Sequence, residues 1–344
     1  MEPRAIGNHI EPMARLGSWI QAHPEGLYLP GADAWIDPSA PKPRALVTHG
    51  HADHARGGHG AVLATAETIA IMECRYGPQN GQAMAYGEAI RLNGIETSFV
   101  PAGHVLGSAQ IILEHGGERI VVSGDYKRRP DPTCAPFQPV PCDVFITEAT
   151  FGLPVFRHPE TGSEIDRLLD ALHANPDRCV LVGAYALGKA QRLIMELRGR
   201  NHHEPIYLHG ALQKLCDLYR TFGVDLGPLL PATGLKAGEL KGKIVLCPPG
   251  ALNDRWSRRL PDPITAMACG WMGVRQRARQ RNVELPLVIS DHADWDELTA
   301  TIAELAPSEV WVTHGREEAL VHWCMTRQIK ACALALAHYE DEDD

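Results

Sequence analysis

The chain has 344 residues, of which 44% are hydrophobic, 22% charged and only 6% aromatic. This composition excludes disordered and fibrous classes, and the length suffices for two domains or for one domain with a large insertion. The net charge of −9 argues against a general nucleic-acid coat protein, although the acidic tail at residues 340–344 supplies −5 of it.

Localisation signals are absent from the sequence pattern. No apolar run approaches the ~20 residues that a membrane span requires, and residues 1–30 contain no apolar block before a small-residue cleavage site. The nine cysteines are scattered, odd in number and without a CxxC pair. These features predict a reduced, cytoplasmic protein without disulfides or membrane contact.

Short strand-like runs dominate the first 150 residues. The predicted strands are residues 27–29, 34–36, 45–48, 61–64, 110–114, 119–123 and 144–147. His115-Gly116-Gly117 separates two of these runs and has the composition of a hairpin turn. Several runs are continuously apolar, which is typical of strands buried on both faces.

Helices and strands alternate in the middle of the chain, which predicts a second, parallel sheet. The predicted helices are 163–175, with Asp166 as its capping-box residue, 188–198 and 211–221; the strands are 179–182, 206–208, 244–246, 264–267 and 287–289. Residues 222–240 are expected to form an irregular connection. The chain is predicted to close with a helix at 294–305, a strand at 310–312, a helix at 316–328 and a strand at 331–336.

The strongest chemical signal is the segment 48–54, Thr-His-Gly-His-Ala-Asp-His, directly after a predicted buried strand. Imidazoles and a carboxylate at this density suit a divalent ion such as zinc, and would also accept manganese or iron. Because alternate residues of an extended segment point to the same side, His49 and His51 are expected to act together.

Three further ligand candidates share one context, a strand that ends in a small-residue loop. They are His104, Asp125 and His314. Metal ligands belong at such strand ends, because several strands can direct side chains into one crevice there.

Taken in order, these residues resemble the ligand set of the metallo-β-lactamase fold, and Asp37 matches the first, non-ligand aspartate of that fold. A narrower resemblance is to the β-CASP nucleases. Residues 147–150 are similar to their acidic first motif, 290–294 to the second and His314 to the third, while 184–191 is similar to a segment of the β-CASP domain.

The resemblance implies an α/β fold, a metallo-β-lactamase αββα sandwich with an inserted β-CASP α/β domain. Its expected divisions are the first part of the lactamase domain at 1–165, the insertion at 166–285, and the second part with the acidic tail at 286–344.

The resemblance also implies two divalent ions per chain, zinc or manganese. The first ion takes His49, His51 and His104, the second takes Asp53, His54 and His314, and Asp125 bridges them. Three residues are expected to act in catalysis: Asp53 orients the attacking water, His292 protonates the leaving oxygen, and Glu148 holds His292 in its charged form.

The expected function is metal-dependent phosphodiester hydrolysis, as a DNA exonuclease in repair acting 5′ to 3′. The sequence looks most like the bacterial exonuclease group associated with ATP-dependent DNA ligases, which implies functional association with a ligase and a helicase. Residues 268–271 resemble a segment of DNA nucleases, whereas His314 is found in the RNA-processing branch. An RNA-processing exonuclease or endonuclease, a small-molecule metallo-hydrolase and an inactive binding scaffold are the alternatives.

An arginine-rich stretch between Asp254 and Asn282 carries seven arginines against two aspartates. It is either a solvated helix face or a phosphate-binding strip, for which arginine is well suited. The residues expected to contact nucleic acid are Lys189, Gly270, Trp271, Arg275, Arg277 and Arg279. Trp271 would stack on a base, unless it is buried in the domain core.

Overall fold

The structure, a computed structural model, describes residues 17–260 and 262–334, together with all side chains in these ranges except that of Ala237. The acidic tail and the predicted strand end at residues 335–336 lie outside them. Within the described ranges the strands are β1 (Gln21–His23), β2 (Gly26–Leu29), β3 (Ala34–Ile36), β4 (Ala45–Leu46), β5 (Val62–Ala64), β6 (Gly81–Ala83), β7 (Ala89–Leu92), β8 (Ile95–Pro101), β9 (Ala109–His115), β10 (Glu118–Val122), β11 (Val144–Ala149), β12 (Val180–Gly183), β13 (Ile206–Leu208), β14 (Leu229–Pro231), β15 (Ile244–Cys247), β16 (Ile264–Ala268), β17 (Leu285–Leu287), β18 (Glu309–Gly315) and β19 (Lys330–Ala333).

The α-helices in the same ranges are α1 (Ala66–Tyr76), α2 (Thr161–Ala174), α3 (Lys189–Gly199), α4 (Gly210–Thr221), α5 (Arg275–Arg281), α6 (Trp295–Leu305) and α7 (Glu317–Thr326). None of them has the length and apolarity needed to cross a membrane. The nine cysteines all lie in the described ranges, and no disulfide joins any two of them.

Two sheets packed face to face form the larger part of the molecule. The first follows chain order from β1 to β6, and the second has the order β19-β18-β11-β10-β9-β8-β7. Apolar side chains from both sheets, such as Leu46 and Ile111, fill the space between them. Helix α1 covers the outer face of the first sheet, and α6 and α7 cover that of the second. The result is an αββα sandwich.

One edge of the second sheet collects the strand ends that matter for function. Strands β10, β11 and β18 are mutually parallel, and β8 runs in the same direction because two antiparallel pairings separate it from β10. The loops that follow β8, β10 and β18, together with the end of β11, therefore meet at a single edge.

Residues 161–287 build the third sheet, which is inserted between β11 and β18. All of its pairings are parallel, in the order β14-β13-β15-β12-β16-β17. Because side chains alternate along a strand, Val180 and Val182 face α2, α3 and α4, whereas Leu181 faces a second apolar cluster that contains Trp271.

The inserted part is packed directly on the sandwich. Ile71 of α1 and Leu106 of the loop after β8 belong to the same apolar cluster as α3 and α4. The Leu106 amide also donates a long hydrogen bond, 3.4 Å, to the buried Tyr219 hydroxyl. This loop carries His104, so the insertion lies against the functional edge of the sandwich.

The predicted fold class is confirmed, and the differences from the expected elements are local. The expected boundaries at 165/166 and 285/286 fall inside α2 and β17, which both pack with the inserted sheet. The cap predicted at Asp166 is wrong: Glu160 is the N-cap and makes no side-chain cap bond. The 222–240 connection contains β14, and α1 was not among the predicted helices.

The hairpin at residues 115–117 forms as predicted. His115 pairs with Glu118, so Gly116 and Gly117 are the two loop residues between β9 and β10. Both have positive φ, 61° and 84°, which a two-residue hairpin loop requires and which glycine adopts without steric cost.

Candidate metal centre

The histidine-rich segment begins three residues after β4 and is held in place by Asp37. Asp37 is buried at the end of β3 with φ of 44°. Its carboxylate accepts hydrogen bonds from the Thr48 amide (2.8 Å), the Thr48 hydroxyl (2.6 Å) and His54 Nδ1 (2.8 Å). The Nε2 atom of His54 is therefore fixed toward Asp53 and Asp125, 3.5 and 3.4 Å away.

Three imidazoles and one carboxylate converge beside this segment. His51 Nδ1 lies 3.1 Å from His49 Nε2 and 2.9 Å from His104 Nε2. The same atoms of His49 and His104 lie 3.4 and 3.7 Å from Asp125 Oδ2. All four residues are buried, so the predicted first ligand set is brought together with Asp125.

The other nitrogen of each of these rings faces a hydrogen-bond acceptor. His49 Nδ1 donates to the Thr48 hydroxyl (3.1 Å), His51 Nε2 to the Leu187 carbonyl (3.4 Å) and His104 Nδ1 to the Asp291 carbonyl (2.7 Å). Such outer contacts fix the tautomer and leave the inner nitrogen as a lone-pair donor, which is the usual arrangement around metal-bound histidine.

The predicted second ligand set lies on the other side of Asp125. Ligand atoms of His54, Asp125 and His314 lie within 4.8 Å of one another, as do those of His49, Asp53 and His54. His314 sits near the end of β18 with φ of 60°, and its ring stacks on that of His54 at a centroid distance of 5.7 Å. Asp125 thus adjoins both sets.

Crowding in one buried space sets the electrostatics. Burial, together with repulsion from His54, holds the pKa of His49 well below its usual range. Burial also opposes charge on His54, but the carboxylates of Asp125, Asp53 and Asp37 raise its pKa well above the ordinary value. For Asp125, burial favours the neutral acid, yet His54, His314 and His292 hold the pKa well below its usual range.

Glu148 and His292 form a separate pair next to the ligands. Glu148, at the end of β11, accepts hydrogen bonds from the Tyr126 amide (2.8 Å), the Thr150 hydroxyl and His292 Nδ1 (3.0 Å). His292 Nδ1 also lies 3.9 Å from Asp125 Oδ2. The carboxylate therefore orients the imidazole at the border of the metal-ligand cluster, and Asp125, Glu148 and His292 also have ligand atoms within metal-binding range of each other.

A small cavity of about 20 Å³ lies over this pair, lined by His292, His314, Lys189, Gly270 and Trp271 among others. Space of this size holds about one water molecule. A much larger depression, about 690 Å³, lies around the loops that join β7 to β8 and β9 to β10. That depression is at the opposite edge of the sheet from the imidazoles. The candidate metal centre therefore does not coincide with the larger of the two cavities.

Residues expected to contact nucleic acid divide into buried and exposed groups. Trp271 is buried against Phe151 and Phe156, and Gly270 is also buried. Lys189 is 5% exposed and pairs with Asp291 at 2.9 Å. On α5, Arg275 and Arg279 are exposed, while the Arg277 guanidinium stacks 3.9 Å from the Trp271 ring centroid.

The donor set fits divalent ions. Among the residues that the structure describes, no hydrogen-bond donor meets either oxygen of buried Asp125, although imidazole nitrogens approach one of them. A buried carboxylate without hydrogen-bond donors lowers the folding stability unless a cation compensates its charge. Imidazole and carboxylate together are ligands that zinc and manganese accept. The residues present therefore fit metal binding around Asp125.

The residue types alone did not indicate which groups accept hydrogen bonds from the outer nitrogens of the three imidazoles. Two of the three acceptors that orient the imidazoles are backbone carbonyls, of Leu187 and Asp291, and carry no side-chain signature. Lys127 and Arg192, which contact Asp291 from two directions at 3.8 and 3.1 Å, were also missed. A charged residue in an apolar helix segment, such as Arg192 in α3, is the one available signal.

Comparison with known proteins finds relatives that are named as a DNA ligase, a cleavage and polyadenylation factor and a ribonuclease. No family model matches it. It is 29% identical over 321 residues to a probable DNA ligase of Opitutus terrae, with 92% of this chain and 31% of that protein aligned. It is 28% identical to cleavage and polyadenylation specificity factor subunit 3 of Dictyostelium discoideum, over 68% of this chain and 37% of that protein.

A ribonuclease of Thermus thermophilus is 29% identical over 51% of this chain and 48% of its own length. The chain thus spans less than half of each of these curated relatives. A crystal structure of a protein of unknown function from Enterococcus faecalis matches 86% of this chain and 79% of that one, with a TM-score of 0.56 at 14% identity, which shows a shared fold. The sequence relatives are consistent with the resemblance to the β-CASP group of the metallo-β-lactamase fold.

The contacts of Asp37 lead to a test by substitution. Asp37→Asn keeps the size of the side chain and tolerates the positive φ, but its amide nitrogen cannot accept the bonds from Thr48 and His54. We expect the affinity for Zn²⁺ to fall about 10- to 100-fold, the usual cost of losing an outer contact to a ligand. Competition with a chromophoric chelator measures it.

Asp33→Asn is the matched control, since Asp33 also has positive φ, 46°, but bonds only the exposed Tyr28 hydroxyl in the part of the chain described. Equal Zn²⁺ affinities for the two variants would show that Asp37 does not support the metal centre.

Proposed function

We propose that the chain is a metal-dependent nuclease that hydrolyses the phosphodiester bonds of DNA, using two divalent ions, zinc or manganese. The observation that carries the proposal is the position of Asp125 between two sets of histidines, with the Glu148–His292 pair 3.0 Å apart beside it. Metal ligands alone would suit many hydrolases. An oriented imidazole next to them adds a proton donor for a poor leaving group.

In this proposal His49, His51 and His104 would hold the first ion, Asp53, His54 and His314 would hold the second, and Asp125 would serve both. Bound there, the ions would offset the charge of the phosphodiester and supply a nucleophile from water. Asp53, on the second side, would orient the water and take up its proton.

His292 would then complete the reaction. As the water oxygen bonds to phosphorus, the bond to the leaving oxygen breaks and that oxygen needs a proton. His292 has its Nδ1 held by Glu148 and lines the cavity above the ligands. Its Nε2 would donate the proton, and Glu148 would stabilise the imidazolium form before transfer.

DNA is proposed as the substrate because the alignment with the probable DNA ligase of Opitutus terrae covers nearly the whole chain. We further propose 5′ to 3′ exonuclease action in DNA repair, in association with a ligase and a helicase. RNA is the second candidate. It is favoured by the similarity to a ribonuclease and to proteins named endoribonuclease YSH1, one of which is 31% identical over 41% of this chain.

End-labelled substrates test the proposal and separate its alternatives. Purified protein with Mn²⁺ or Zn²⁺ is expected to release labelled mononucleotide from 5′-labelled DNA and to leave 5′-labelled RNA of the same sequence largely intact. Asp125→Ala should bind fewer than the two equivalents expected of the native protein and lose activity outright, because both ion sites lose a ligand.

Elemental analysis after metal loading reads the stoichiometry independently of activity. Full activity in Asp125→Ala would contradict the two-ion model. Faster cleavage of RNA than of DNA would make RNA the substrate and would contradict the proposal of DNA. Hydrolysis of a chromogenic lactam or thioester in the absence of nuclease activity would favour a small-molecule hydrolase.

The role of His292 can be separated from metal binding. His292→Ala is expected to retain both ions but to lose about 10²- to 10⁴-fold in kcat on DNA, the range for a single general acid. With a nitrophenyl phosphodiester, whose leaving group needs no proton, the loss should nearly vanish. Loss of bound metal in this variant would instead make His292 a ligand.

Helix α5 carries the arginines that we propose to bind the phosphates of the nucleic-acid backbone. It follows directly on residues 270–273, whose Trp271 lines the cavity, and Arg277 stacks on that tryptophan. Arg277 is therefore separated from the cavity by the Trp271 ring, and Arg275 and Arg279 of the same helix are exposed to solvent.

The joint change Arg275→Ala, Arg277→Ala and Arg279→Ala should weaken DNA binding and flatten its salt dependence. The expected slope change is up to about one log–log unit per lost phosphate contact, whereas kcat at saturation should change little. Lys214→Ala, Arg220→Ala and Lys241→Ala remove the same charge from exposed positions elsewhere in the inserted part. If both triple variants behave alike, α5 is only a solvated face.

A further inference from the structure

Two backbone carbonyls orient imidazoles of the first ligand set, and one of them belongs to the inserted part. The Leu187 carbonyl, just before α3, accepts from His51 Nε2, and the Asp291 carbonyl, in the segment that returns from the inserted sheet to the sandwich, accepts from His104 Nδ1. The insertion thus orients His51 directly, and it acts on His104 through its contacts with Asp291.

Two ion pairs join these two carbonyl-bearing segments: Arg192 of α3 lies 3.1 Å from Asp291 Oδ1, and Lys189, which is closer to Leu187 in the chain, forms the other. Lys189 lies two residues after Leu187, and its Nζ atom is 2.9 Å from Asp291 Oδ2. Both side chains are almost fully buried. Because the pair ties the start of α3 to the residue that bonds His104, its geometry sets the spacing of the two acceptors.

The pair belongs to a buried ion cluster of five residues: Lys127, Asp131, Lys189, Arg192 and Asp291. The Lys127 ammonium also donates to the His104 carbonyl at 3.2 Å. Burial would favour the neutral acid of Asp291, but Lys189, Lys127 and Arg192 hold its pKa well below the usual range. The carboxylate therefore stays charged, and its three cations come from both the sandwich and the insertion.

Close packing at Gly188 makes this contact possible. Gly188 has φ of 83°, and a Cβ atom there would lie 2.4 Å from Val105 Cγ1 and 3.7 Å from Asp291 Oδ2. Only glycine lets the start of α3 approach the His104 loop this closely.

We propose that the Lys189–Asp291 ion pair is a positioning device that holds the Leu187 and Asp291 carbonyls against His51 and His104, so that docking of the insertion sets the metal affinity of the first ligand set. The inference rests on the proposed metal-dependent function but concerns metal binding, which is measured without substrate. It assigns Lys189 a positioning role in place of the nucleic-acid contact expected from the sequence.

Lys189→Met is the variant of choice. It keeps the length of the side chain, and it leaves Asp291 with two cations, Lys127 at 3.8 Å and Arg192 at 3.1 Å, so that this carboxylate is not left unpaired. Titration with Co²⁺, followed by its visible absorption, should show one equivalent weakened about 10- to 100-fold and the other unchanged. Gly188→Ala, which retains every charge, should weaken the same equivalent.

Two controls separate positioning from general damage. Lys189→Arg restores a cation beside Asp291 and should recover part of the lost affinity. Arg198→Met perturbs the opposite end of α3, where the guanidinium bonds the carbonyls of Leu226 and Pro228 among others, and should leave both Co²⁺ affinities unchanged.

The outcomes distinguish this inference from the proposed function. If the native protein takes up two Co²⁺ ions and Lys189→Met binds both with native affinity, the positioning role is wrong while the nuclease proposal stands. A raised KM for DNA with unchanged metal affinity would return Lys189 to nucleic-acid binding. A native protein that binds no Co²⁺ would overturn the metal-dependent function itself.

Discussion

The whole site depends on the approach of several imidazoles to one oxygen atom of Asp125. Nitrogen atoms of His49 and His54 lie 3.4 Å from Asp125 Oδ2, that of His104 lies 3.7 Å away and that of His292 3.9 Å away. In a space closed to water, so many polar groups are stable only if cations or protons balance them. The surrounding structure consequently serves to hold ring orientations, with Asp37, Thr48 and Glu148 as side-chain acceptors.

The inserted domain has a part in this arrangement that goes beyond covering the site. The faces of its parallel sheet are filled by α2, α3 and α4 and by the cluster around Trp271. Its contacts with the sandwich are of two kinds, the apolar packing of Ile71 and Leu106 and the buried ion cluster. The apolar packing buries contact area but does not fix a direction. The ion cluster holds charged groups at fixed distances and so orients the inserted part against the sandwich.

The meeting of the histidines with Asp125 could be expected from the sequence because these residues stand at or shortly after strand ends, and parallel strands of one sheet end at one edge. The sequence predicted the hairpin at residues 115–117 for an equally local reason, the backbone freedom of two glycines. The outer acceptors escaped prediction because a carbonyl group belongs to every residue and only the fold selects Leu187 and Asp291. Burial of Lys189 escaped for a related reason, since a sequence shows a cation but not which neighbours enclose it, and the burial of Trp271 was only one of two alternatives.

The parallel pairing of β18 with β11 has a consequence for the order of folding during synthesis. Residue Val144 pairs with Glu309, about 160 residues later in the chain. At about 5–20 residues per second, the ribosome needs roughly 8 to 30 s to cover that distance. Throughout this interval β11 can pair with β10 on one side, but its other side is an open edge whose backbone groups are able to pair with other chains. The inserted domain, whose sheet is complete by residue 287, has time to fold first, and its collapse would shorten the distance over which β18 must search for its partner.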